Sequence, residues 1–189
     1  DGYKDKYKAL ASHMQADNLG AVIRTDNDIV GGYLPDVKLR AALQYARENA
    51  WAICGDPQPE VMLMGFSAGA SAITAVASEY PEVTKILLYA PSGDMEEKSV
   101  KKGLRDFSGE VYIIQGEKDE IVGPQAGKLF YRMATGAKHK ELFMIPNCSH
   151  QFIGEANGRI MSEAPYYAFS EGSSKPKFPD PQGGIKLYD

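Results

Sequence analysis

Val61-Met62-Leu63-Met64-Gly65-Phe66-Ser67-Ala68-Gly69-Ala70-Ser71-Ala72-Ile73 changes its periodicity halfway along, and the change centres on one serine. Residues 61–64 are a short apolar run that predicts a strand buried on both faces. Beyond the glycines, Ile73, Val76, Ala77 and Tyr80 fall at i, i+3, i+4 and i+7, one face of a helix that Pro81 closes. The five residues between read G-x-S-x-G. Turns rich in glycine and serine are common, so the pentapeptide alone says little. In a strand–turn–helix frame it is a nucleophile elbow. The turn is sharp and neighbouring backbone must come close, which predicts that both glycines are required. The frame puts Ser67 at the carboxyl end of a strand, above a helix N-terminus whose N–H groups can meet a developing negative charge.

An elbow serine needs an acid and then a histidine, in that chain order. Val111-Tyr112-Ile113-Ile114 predicts a second buried strand, and it runs into Gln115-Gly116-Glu117-Lys118-Asp119-Glu120-Ile121-Val122, a turn with three carboxylates. Leu142-Phe143-Met144-Ile145 predicts a third, whose end leads through Pro146-Asn147-Cys148-Ser149 to His150. In an open parallel sheet the carboxyl ends of strands share one rim, so Ser67, Asp119 and His150 can meet although far apart in sequence. In that geometry Ser67 attacks a carbonyl, His150 takes its proton and Asp119 orients the imidazole.

Each assignment has a rival. Of three histidines, His13 lies in a helical stretch and His139 sits between Lys138 and Lys140, so both read as surface residues. Glu117 and Glu120 compete with Asp119. Asp119 follows the turn glycine by three residues and precedes Ile121-Val122, which predicts an inward-facing position at the loop apex. Asp94, in the loop after the predicted strand Lys85–Tyr89, is the fallback acid, and that loop should border the pocket. Cys148 is the rival nucleophile, but it has no elbow and adjoins the proposed base.

The elbow, the Gly116–Val122 turn and the late His150 together resemble the α/β-hydrolase superfamily, and within it the small bacterial carboxylesterases and dienelactone-hydrolase-like proteins. The resemblance runs from the first residue to about Phe169. It implies an α/β fold, a mostly parallel sheet with helices on both faces, and ester hydrolysis through an acyl-enzyme. The Ala68 N–H would be one oxyanion-hole donor, and Phe66 would shape the acyl pocket or simply pack. Dienelactone hydrolases proper use a cysteine nucleophile where this chain has Ser67. That leaves the acyl-transfer chemistry in place and removes the reason to expect a dienelactone as substrate.

The family's first strands, with the His-Gly-type loop that completes the oxyanion hole, are not visible. Tyr3, Tyr7, Leu10, Ala11 and Met14 follow a helical period, Gly20–Arg24 reads as a strand, and Asp36–Ala50 reads as a helix with Leu39, Ala42, Leu43 and Ala46 on one face. Two explanations follow: an upstream part is absent from this chain, or the fold is N-terminally reduced and the strand at 20–24 pairs directly with that at 61–64. With a single donor the oxyanion hole would lose about 10²–10³ in turnover.

Composition narrows the partners. A length of 189 residues suits one domain, expected over 1–170, with an irregular tail over 171–189 rich in Gly, Ser, Pro and Lys. The net charge of −4 gives no reason to expect binding to nucleic acid or an anionic membrane, and no apolar run reaches the length of a membrane span. Neither metal-ligand spacing nor a nucleotide-binding glycine loop is present, so the expected cofactor is none and the expected partner is a small-molecule ester. Gln125–Thr135 predicts a helix with Ala126, Leu129, Phe130 and Met133 on one face. Met95–Phe107 reads as a charged surface connection or short cap, and Ile160–Phe169 as a last helix packed on the sheet in preference to a substrate-binding lip. The same triad would serve thioesters, amides or lactones, and a hydrolase scaffold with half an oxyanion hole could be a binding protein.

Overall fold

Alternation within three consecutive strands builds two separate cores. The computed structural model describes residues 2–25, 35–93 and 97–188. Strands β1 (Val61–Phe66), β2 (Val83–Tyr89), β3 (Glu110–Gly116) and β4 (His139–Ile145) lie side by side in that order, all parallel. Ile86, Leu88, Val111, Ile113, Leu142 and Met144 point to one face, and Leu87, Tyr89, Tyr112, Ile114, Phe143 and Ile145 to the other. A strand buried on both sides reads as a continuous apolar run, which is why these three were legible as such.

Helices cover both faces. On the first lie α2 (Pro35–Glu48), α4 (Ala68–Val76), α5 (Glu97–Asp106) and α6 (Gln125–Met133), contributing Leu43, Ile73, Val76, Val100, Leu104 and Phe130. Connections that step one strand at a time in one direction must all cross on the same side, given right-handed crossovers. On the second face lie α1 (Gly2–Ala16), through Met14, and α7 (Glu155–Phe169), through Ile160, Met161, Ala164 and Ala168. A short helix α3 (Ala50–Cys54) follows α2, so the helix expected over 36–50 is broken at Asn49.

Four other expectations are corrected. Residues 20–25 carry no strand, and among the described residues β1 pairs only with β2. The reduced-fold pairing of 20–24 with 61–64 is therefore not made, and β1 is half-buried along its length rather than covered on both faces. Residues 97–106 form α5 rather than a surface connection, because Val100, Gly103 and Leu104 share the face that packs on α4. A Cβ at Gly103 would strike the carbonyl of Thr74, so the two helices touch backbone to backbone. The segment after Glu171 holds a short 3-10 turn at Gly172–Ser174 and is otherwise irregular as far as residue 185. It ends in β5 (Lys186–Tyr188), antiparallel to β4, and on the way Phe178 stacks flat on Phe143 with ring centroids 3.6 Å apart. Along α6, Gly127 and Phe130 make the buried side while Leu129 is 44 % exposed.

Among the described residues no helix is long and apolar enough to cross a membrane.

Candidate active site

The elbow is strained at its serine. Ser67 has φ 53° and ψ −117°, a backbone conformation that side chains with a Cβ rarely adopt. Its N–H donates to the Tyr89 carbonyl (2.8 Å), and its own carbonyl accepts from the N–H groups of Ser71 (3.2 Å) and Ser92 (3.4 Å). The Ser71 hydroxyl also donates to the Ser92 carbonyl. The turn is thus tied to β2, to the loop after β2 and to the first turn of α4. Only one of the two glycines is sterically required. A Cβ at Gly65 would lie 2.7–2.9 Å from Gly69, Ile73 and Ala70, whereas one at Gly69 would meet nothing within 4 Å. The expectation that both are needed is corrected accordingly: β1 crosses α4 at Gly65, and Gly69 faces open space.

The strand ends bring three side chains into line. His150 Nε2 is 3.1 Å from Ser67 Oγ, and His150 Nδ1 is 2.9 Å from Asp119 Oδ2. An ionised carboxylate only accepts, so Nδ1 carries the ring proton and Nε2 is free to accept the serine hydroxyl. His150 is 5 % exposed and Asp119 is 3 % exposed. The Phe66 ring lies against the imidazole with centroids 5.0 Å apart.

Asp119 is saturated with donors. Its Oδ1 accepts from the N–H groups of Ile121 and Val122, each at 3.0 Å, and its Oδ2 accepts from Gln115 Nε2 at 2.8 Å as well as from His150. Burial by itself pushes this carboxyl upward. The hydrogen bond from His150, the two backbone N–H groups and the His150 charge together outweigh it, and Asp119 is held below the ordinary carboxylate value. The competing carboxylates face elsewhere: Glu120 is exposed and Glu117 pairs with Lys186 of β5 at 3.1 Å. Asp94 lies outside the described residues. His13 is exposed, and His139, nearly half-exposed, is 3.4 Å from Glu141.

Cys148 is fully buried, and its thiol is pushed up to about 12, first by burial and then by the carboxylates of Asp119 and Glu120. Burial that keeps a thiol protonated lowers its nucleophilicity. Its main chain matters more. Lys118 N–H donates to the Cys148 carbonyl (3.0 Å), which fastens the turn carrying Asp119 to the loop carrying His150.

Ser67 opens on a cleft of about 560 Å³. Pro91, Ser92 and Gly93 line one side, as expected for the loop after β2, while Ile121, Val122 and Leu129 line another. Ile121 (66 %) and Leu129 (44 %) leave much of their apolar surface open here. Ala68 is the first residue of α4, so its N–H is one of the donors that a helix start leaves without an internal acceptor. Among the described residues no group of three His, Cys, Asp or Glu side chains could hold a metal ion.

Sequence reasoning missed Gln115. A signal for Gln115 was present: an amide ending a buried apolar strand must find a partner inside.

Comparisons with known proteins agree on the fold. A profile of the dienelactone hydrolase family matches residues 23–172. The structure is similar to the esterase domain of a Rhodothermus marinus protein, with a TM-score of 0.66 at 18 % identity, covering 84 % of this chain and 76 % of that one. It is also similar to Est1E from Butyrivibrio proteoclasticus (TM-score 0.54, 15 % identity, 69 % and 66 % covered). A third is an alpha-beta serine hydrolase homologue from Coxiella burnetii (TM-score 0.52, 22 % identity, 76 % and 60 % covered). The chain thus spans three-quarters of the first and less than two-thirds of the other two. No curated protein matches it in sequence.

Proposed function

The chain belongs to the dienelactone hydrolase family, a family of hydrolases, and on that premise we propose that it is a serine hydrolase cleaving carboxylic esters through an acyl-enzyme. One observation carries the reading: Ser67 Oγ, the His150 ring and Asp119 Oδ2 stand in series at 3.1 and 2.9 Å. Ser67 attacks the ester carbonyl while Nε2 takes its proton, and Asp119 stabilises the imidazolium that forms. The Ala68 N–H meets the oxyanion. The imidazolium then protonates the departing alkoxide, leaving an acyl group on Ser67. Water, deprotonated by Nε2, attacks the acyl carbon, and the tetrahedral adduct collapses to release the acid and restore the serine hydroxyl. Serine at the elbow makes the intermediate an oxygen ester, where a cysteine would make a thioester.

The apolar walls of Ile121 and Leu129 beside Ser67 favour a small-molecule ester with one apolar side. Such a surface left open beside a nucleophile is where substrate burial returns free energy.

A fluorophosphonate probe tests the reading. Labelling of the folded protein that disappears in Ser67→Ala, with p-nitrophenyl acetate turnover lost in His150→Ala, is the expected result. Absence of labelling in the folded wild type would overturn it in favour of a binding protein on a hydrolase scaffold.

A further inference from the structure

Gln115 is the last-but-one residue of β3, fully buried, and its side chain lies beneath the acid of the site. Its Nε2 donates to Asp119 Oδ2 at 2.8 Å, the same oxygen that accepts from His150 Nδ1 at 2.9 Å. Its Oε1 is the one buried side-chain atom among the described residues with no hydrogen-bond partner. Leaving a buried acceptor without a partner is destabilising. Turning the amide over would not help, since it would set Oε1 against the Asp119 carboxylate and lose the donor. The amide is therefore held one way, with an unmet oxygen as the consequence. The stem is held too: α6 crosses it so closely that a Cβ on Gly127 would lie 2.7 Å from Gln115 Cβ.

We propose that Gln115 is a positioning residue for the Ser67–His150–Asp119 series, sharing Asp119 Oδ2 with the imidazole and so setting how strongly the carboxylate binds the ring proton. Two donors on one oxygen divide its lone-pair density. Remove the amide, and the oxygen turns wholly to Nδ1, so the imidazolium is stabilised and harder to deprotonate. The ionisable groups around this carboxylate are few. His150 and Cys148 come from the loop after β4, and Glu120 from its own turn. At the level of Gln115, β4 offers Met144, which is uncharged. On α6, Lys128 lies over the Tyr188 ring and Arg132 lines the cleft.

The role rests on the proposed function only for its kinetic consequence, so the test reads the ring directly. The chain has three histidines, and His13→Gln and His139→Gln spectra identify the His150 imidazole in an NMR titration. In Gln115→Met, which keeps the stem and removes the amide, the His150 ring is expected to titrate about 1 pH unit higher than in wild type, a tenfold gain in proton affinity. Gln115→Leu should move it the same way, should the methionine variant fold poorly. Neither variant should melt below wild type by more than a degree or two, because the orphan oxygen goes with the amide. If esters are turned over, the acid limb of kcat/KM follows the titration upward. A His150 titration identical to wild type in a folded Gln115 variant overturns the role, whatever the activity. A titration that moves in a protein without esterase activity keeps the role and defeats only the functional reading.

Discussion

Gly116 and Cys148 meet backbone to backbone: a Cβ placed on Gly116 would lie 2.9 Å from the Cys148 carbonyl carbon and closer still to its oxygen. That contact joins the end of β3 to the loop after β4, and so joins the residue three before Asp119 to the residue two before His150. The distance between acid and imidazole is decided here.

Gly116→Ala should therefore push the His150 loop away from the turn and break the hydrogen bond from Lys118 N–H. A shift of about 1 Å in a catalytic group costs about 10²-fold in rate. We expect a loss of that size in kcat with p-nitrophenyl acetate, and a stability loss of about 1–3 kcal/mol in urea unfolding. Wild-type rates in the alanine variant would show that the contact sets nothing.

Strain at Ser67 makes a second prediction. A residue with a Cβ held at φ 53° and ψ −117° stores about 1–3 kcal/mol, and glycine adopts that conformation freely. Ser67→Gly should be inactive and yet more stable than Ser67→Ala, which keeps the Cβ. The comparison is read from urea midpoints. Equal midpoints would mean that the elbow is unstrained.

Asp119→Asn should lower kcat by about 10³–10⁴-fold, because the imidazole loses the carboxylate that stabilises its charge. The carboxylate also stabilises the fold. Its value is depressed in the folded protein, so its contribution is complete above the unfolded value near 4 and is lost as pH falls through the folded one. The stability gap between wild type and Asp119→Asn should be present at pH 7 and close as the pH falls well below 4. A gap that persists undiminished at about pH 2 would contradict the donor arrangement around Oδ1 and Oδ2.

The two cysteines should separate cleanly in a thiol titration. Cys54 is exposed, while Cys148 is buried with its thiol raised to about 12. Iodoacetamide at pH 8 should modify one thiol in the folded protein, located at Cys54 by peptide mapping, and both in denaturant. Rapid native modification of Cys148 would mean that its loop opens.

Much of this site was legible because it is written in neighbouring residues. The elbow declares itself by a change of period at Gly65–Gly69, and the order serine, acid, histidine follows from three apolar runs, each ending in a polar turn. Asp119 could be preferred to Glu117 and Glu120 by its place before Ile121-Val122. Less could be read at the edges. Gly20–Arg24 has a strand's apolar pattern but no strand, since a strand exists only where a neighbour takes its hydrogen bonds. The charged stretch after Met95 hid α5, whose buried residues are few because a bare backbone contact at Gly103 does part of the packing. Leu129 sits at a core spacing on α6, yet at the carboxyl rim of the sheet the helix faces the cleft.

By itself, then, the sequence determined which chemical groups stand at strand ends and in what order, because local periodicity and turn geometry depend on a few adjacent residues. Whether those groups meet was decided by tertiary structure alone. Ser67 and His150 are 83 positions apart, and their 3.1 Å separation depends on strand order, on register and on close backbone contacts such as Gly116 with Cys148. So does the position of Gln115 beneath Asp119, since a hydrogen bond of 2.8 Å is made or lost by displacements that no spacing along the chain encodes.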